Sequence, residues 1–119
     1  MIVTGQVFNE KNGEMIAEKV VFAHTWLSRL KGLLGTKSLS EDAGMWLKPC
    51  NGIHTMWMRY AIDVIYLTQE NKISKLVSSI KPNRFCNGVK GTVSVLELKS
   101  GQIEKNELLV GDQLIFKAE

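Results

Sequence analysis

The sequence predicts one α+β domain, mainly antiparallel β, folded as a partly closed, barrel-like sheet beside one main helix. Three observations lead there. Seven or eight short runs rich in β-branched and aromatic residues recur between turn residues from Val3 to Phe116. One stretch, about residues 25–34, carries an apolar stripe with helical spacing instead. Finally, 119 residues with 45% hydrophobic and 23% charged composition suit a single core, so residues 1–119 are expected to form one domain. The same balance excludes disordered, collagen-like and low-complexity chains.

The elements follow in order. Val3 to Phe8 and Met15 to Phe22 flank Asn12-Gly13, a pair that accepts positive φ, so a hairpin is expected. Trp26, Leu27, Leu30, Leu33 and Leu34 then fall on one helical face; Thr25 is the better N-cap and Gly35 a natural stop. Met45 to Leu47 reads as a short strand ending before Pro49. His54 to Tyr60, Asp63 to Thr68 and Ile73 to Ile80 read as strands, the last two separated by a turn at Glu70-Asn71. Residues 81–91 contain Pro82, Gly88 and Gly91 and read as the longest loop. Val93 to Leu98 is a further strand, residues 100–107 a short second helix, Val110-Gly111-Asp112 a turn, and Gln113 to Phe116 the closing strand.

Fifteen Lys and Arg against twelve Asp and Glu leave a formal charge of +3. Along the chain no basic run or basic-aromatic stripe accompanies that surplus, so no nucleic-acid partner is expected. No apolar stretch approaches the roughly 20 residues of a membrane span. The first residues lack the basic and apolar segments of a signal peptide, which leads us to expect a cytoplasmic protein. Cys50 and Cys86 are then expected as thiols; a bridge between them would be possible only in an oxidising compartment.

Several fragments carry a family resemblance. Arg29-Leu30-Lys31-Gly32-Leu33-Leu34-Gly35, then Gly44-Met45, then Ile53 to Val64 look like the hallmark of the family called domain of unknown function 192. Val95-Leu96-Glu97-Leu98, Gly101 and Gly111-Asp112 are similar to its C-terminal signature. Many relatives have Phe-Trp-Met-Lys-Asn-Thr where this chain has His54-Thr55-Met56-Trp57-Met58-Arg59, and the Cys50…His54-Thr55 form looks like a shorter subgroup. The resemblance implies a fold and no established activity.

Two constellations stand out among the residues. If His54 to Tyr60 is a strand, His54, Met56 and Met58 share a face, and Cys50 can swing toward it. Thiolate, imidazole and thioether donors suit Cu(I), and Cys with His suits Zn(II), so Cys50, His54 and Met58 form a candidate metal set. The bland reading makes the methionines core filler and His54 a hydrogen-bonded surface residue. No cofactor is predicted, with Cu or Zn as the alternative. Asp63 is the second, a carboxylate inside the apolar run Ile62 to Leu67. Beside Arg59 and His54 it would grip an anionic or hydroxylated ligand; paired with Arg29 it would be a structural ion pair locking helix to sheet.

Other candidates are weaker. Glu97 alternates with Leu96 and Leu98 and reads as a half-exposed strand residue, and Asp112 as a turn former. A Cys50/His54 nucleophile lacks a helix N-terminus or a third partner. Gly32 to Ser38 echoes a phosphate-binding loop but has Thr36 where that motif needs glycine before lysine. No complete catalytic set emerges. The leading expectation is a non-enzymatic ligand-binding or accessory module with a polar site of Cys50, His54, Arg59 and Asp63. The alternatives are a Cu- or Zn-binding protein or metal-dependent enzyme, and a protein-interaction module anchored by exposed Trp46 or Trp57. The partner would be a small molecule or a protein.

Overall fold

The computed structural model describes residues 3–24 and 36–119. The predicted main helix, about 25–34, and Arg29 with it lie outside the described residues. Nine strands and one short helix are described: β1 (Val3–Asn9), β2 (Met15–Ala23), β3 (Ala43–Leu47), β4 (Gly52–His54), β5 (Ile62–Leu67), β6 (Ile73–Ile80), β7 (Phe85–Asn87), β8 (Ser94–Lys99), α1 (Gln102–Lys105) and β9 (Leu114–Ala118).

Seven strands form one sheet in the order β6-β5-β8-β3-β2-β1-β9, and β4 pairs with β7 in a second, two-stranded sheet. All pairings are antiparallel except β2 with β3, where Val21 lies beside Met45. The β1–β2 hairpin forms where Asn12-Gly13 predicts it. Gly13 takes φ 70°, its N–H donates to the Asn9 carbonyl at 2.8 Å, and the Glu14 N–H donates to the Asn12 side chain at 3.0 Å. The sheet does not close into a barrel. Its two edges meet at the isolated bridge of Lys72 with Gln113, where the Ile73 N–H donates to the Asp112 carbonyl at 2.8 Å and the Leu114 N–H to the Asn71 carbonyl at 2.9 Å, so the described strands form a mainly antiparallel sheet whose edges touch without a closed barrel. The second helix is a single turn of four residues, shorter than the predicted 100–107.

Both faces of the large sheet are covered, and strand alternation sorts the side chains between them. Ile65 and Leu67 of β5, Leu96 and Leu98 of β8, and Trp46 of β3 join Val7, Val20, Ile73, Ile103 and Leu114 in one core. Val64, Tyr66 and Val95 point the other way, into a second core with Met58, Ile62 and Ile80. The small sheet roofs this second core: Cys50, Ile53 and Cys86 pack against it, and the Tyr66 hydroxyl donates to the Cys86 carbonyl at 2.8 Å. Burial first, then that bond and the nearby Cys86, Cys50 and Glu97, push the phenol above its usual range.

This two-sided covering overturns two sequence expectations. Glu97 is only 5% exposed, not half exposed, because its face of β8 lies under the second core's side, opposite Met45 and Val64. Trp46 is 1% exposed and is therefore no surface anchor; it packs edge-on against Phe116 at 6.0 Å between ring centres. Asp112 does hold a turn. Although partial burial works against its charge, the Leu109 N–H, Lys11 and Asn9 keep its carboxyl below the usual range.

Candidate functional site

β4 ends at His54, so the predicted strand over His54 to Tyr60 does not form. The reason is Thr55, a fully buried residue whose groups serve two turns at once. Its N–H donates to the Arg84 carbonyl (2.8 Å), while its carbonyl accepts from the N–H groups of Met58 (3.1 Å) and Asn83 (2.9 Å). Its hydroxyl donates to the Lys81 carbonyl at 2.6 Å and accepts the Arg84 N–H at 2.9 Å. A side chain that supplies backbone partners in this way lets the chain leave the extended ladder. Thr55→Val is therefore expected to lower stability by about 2 kcal/mol, because the Arg84 N–H loses its acceptor and the Lys81 carbonyl its donor at a partly buried position; urea unfolding would measure it.

The turn so fixed presents aromatic rings to solvent. Trp57 adopts φ 62°, a conformation bulky residues avoid, and its N–H donates to the Asn83 side chain at 3.1 Å. Its indole is 78% exposed. Phe85, on the neighbouring β7, is also 78% exposed and lies 6.1 Å from exposed His54, ring centre to ring centre. In the sequence Phe85 falls within the loop expected over residues 81–91. A three-residue strand paired with one some thirty residues earlier leaves no local signal in the sequence.

The two segments that build this end are basic: residues 52–60 and 81–87 hold Arg59, Lys81 and Arg84 and no Asp or Glu. Arg59, Lys81, Arg84 and Lys90 are exposed. A shallow cleft of about 470 Å³ is lined by Pro49, Cys50, Asn51, Gly52, Thr92 and Val93. A second cleft of about 490 Å³ shares Asn51 and Thr92 and adds Asn87 and Lys90.

The predicted site residues divide. His54 and Arg59 lie on this exposed end, and Cys50 borders the first cleft, its thiol donating to the Gly52 carbonyl at 3.0 Å. Cys50 and Cys86 are thiols, not a disulfide. Asp63 does not join them. It is fully buried and shares a strand face with Ile65 and Leu67, opposite the face that the small sheet roofs. Its carboxylate accepts three backbone N–H groups: Ser79 at 2.8 Å, Gly101 at 3.1 Å and Ile103 at 2.9 Å. No ion pair with Arg59 forms, and the Arg29 partner lies outside the described residues. Met58 is buried in the second core while His54 is exposed. Among the described residues, no three His, Cys, Asp or Glu side chains gather to hold a metal.

Comparison with known proteins supplies a family and a fold. The model of DUF192, described as an uncharacterised ACR, matches residues 7–116. No curated protein matches the chain. A crystal structure from Sinorhizobium meliloti 1021, described as a candidate transcription regulator, is similar with a TM-score of 0.81 and 16% identity, covering 98% of this chain and 94% of that one. A protein of unknown function from Novosphingobium aromaticivorans is similar with a TM-score of 0.76 and 18% identity, covering 96% and 84%. At such identities the likeness speaks for the fold alone.

Proposed function

We propose that this chain, which belongs to the DUF192 family, is a non-enzymatic binding module whose recognition face is the end built from residues 52–60 and 81–87. One observation carries the reading: Trp57 is at once conformationally strained and exposed. A bulky residue at positive φ costs about 1–2 kcal/mol. An indole in water recovers little of that by burial. A folding role does not account for such a residue, whereas a ring held ready for a partner does. His54 and Arg59 belong to the same face in this reading, and Cys50 to its border. Asp63 serves the scaffold beneath α1.

A test needs no partner. Asparagine tolerates positive φ and keeps the backbone N–H that reaches Asn83, so Trp57→Asn should raise stability in urea unfolding by about 0.5–1 kcal/mol. A loss of more than about 1 kcal/mol would show that the indole holds the fold together, and the reading would fail.

A further inference from the structure

Resting on the face just proposed, we infer that its partner is a single-stranded nucleic acid, bound through stacking on Trp57 and Phe85 with backbone phosphates held by Arg59, Lys81 and Arg84. Three properties of the surface favour this polymer. First, the apolar part consists of rings whose faces are open: Trp57 and Phe85 are each 78% exposed, and His54 stands beside Phe85. Every base has a π-face, so exposed rings bind single strands with little regard to sequence. Second, what surrounds the rings is polar. Asn83 braces Trp57, while Lys81, Arg84 and Asn87 are exposed on the same segment. A protein-docking site of ordinary size centres instead on a desolvated apolar core. Third, the segments carry cations with no acidic residue among them, the electrostatic footprint of a polyanion partner.

The expectation against nucleic acid rests on linear order, in which Trp57 to Tyr60 and Arg84-Phe85 are two short, widely separated pieces and form no continuous basic-aromatic stripe. The fold assembles that combination from two segments. Arg59 lies two residues after Trp57, and Arg84 directly before Phe85; the hydrogen bonds of Thr55 and Asn83 hold the two segments together. Two cations also sit near the clefts: Lys90 lines one, and Lys75 donates to the Asn87 carbonyl at 2.7 Å. With three to five phosphates neutralised, log K should fall with log salt at a slope of about −2 to −3.5. Binding of this size is modest and salt-sensitive, and is to be measured at low ionic strength.

The experiment is fluorescence anisotropy of labelled oligo(dT) and oligo(rU) about 20 nucleotides long, titrated with the full chain, using a double-stranded oligonucleotide and poly-glutamate as competitors. The inference predicts binding to the single strands, weakened about tenfold by Trp57→Ala and by Phe85→Ala, as expected for one lost stack. Trp57→Phe should restore most of it, since a ring is present again. Arg84→Glu should weaken binding and flatten the salt slope. Thermal unfolding of each variant separates a lost contact from a lost fold, and Phe85, whose φ is ordinary, provides the check should Trp57→Ala misfold. Equal binding by wild type and both alanine variants would overturn the inference. So would an absence of binding at low salt, or displacement by poly-glutamate at equal charge, which would point to an acidic protein segment. If Trp57→Asn stabilises the chain and yet no oligonucleotide binds, the nucleic-acid inference fails while the recognition face stands. If Trp57→Asn destabilises it, the face itself is misassigned.

Discussion

Asp63→Ala is expected to destabilise the protein by about 3–5 kcal/mol, the largest effect of any single substitution considered. The carboxylate gathers three backbone N–H groups from two places: Ser79 near the end of β6, and Gly101 and Ile103 at the start of α1. It thereby acts as the N-terminal cap of a four-residue helix whose own cap, Gly101, offers no side chain. Removing it leaves three donors without an acceptor, each costing about 1–3 kcal/mol when buried, partly offset by water entering the space. Asp63→Asn keeps one acceptor oxygen but turns an amide N–H₂ toward a donor, so a smaller loss of about 2 kcal/mol is expected. Equilibrium urea unfolding measures both. A loss below about 1 kcal/mol for the alanine variant would contradict this assignment. The original attraction of Asp63 as a ligand-binding group is thus met by a different task, satisfying the backbone where β6 and α1 approach β5.

The second large effect is a pH dependence centred on Glu97. Burial alone pushes its carboxyl from 4.5 up to about 7, and no hydrogen bond or cation among the described residues offsets the desolvation. Between those two values the folded protein retains a proton that the unfolded chain releases, so stability must fall as pH rises from about 4.5 to 7. Above that window the penalty is constant, on the order of 3 kcal/mol. Glu97→Gln removes the charge while keeping the shape. It should abolish this slope and stabilise the protein at pH 8 by about 2–3 kcal/mol, with little change at pH 4. Unfolding midpoints across that range provide the measurement. A variant less stable than wild type at pH 8 would mean that the carboxylate is paired and the account of it is mistaken.

How far the sequence foretells this molecule depends on how local each feature is. The Asn12-Gly13 hairpin and the strand Ile73–Ile80 arise from turn chemistry and alternation within a few residues, and both are as predicted. The run from His54 to Tyr60 misled because its β-prone residues sit where buried Thr55 bonds to residues 81–84, far along the chain. Glu97 looked half exposed because alternation shows that one face is apolar and is silent about what covers the other. Trp46 and Trp57, equal candidates for a surface anchor in the sequence, part for a similar reason: β3 lies inside the large sheet, whereas Trp57 rides on a turn. Of the candidate site, His54 and Arg59 were legible as polar interruptions of apolar sequence. Phe85, Asn83 and the shared sign of charge became meaningful only once β4 and β7 were paired.

In the unliganded protein, Thr55 and Asn83 hold Trp57 at positive φ and open to solvent. Solution NMR of the unliganded protein tests it most directly, through the three-bond HN–Hα coupling and nuclear Overhauser pattern of Trp57 together with exchange of its indole N–H. A positive φ for Trp57 and rapid indole exchange are expected, contrasted with slow exchange at buried Trp46, together with loss of the fixed turn in Thr55→Val. A negative φ, or an indole N–H protected as strongly as that of Trp46, would contradict it.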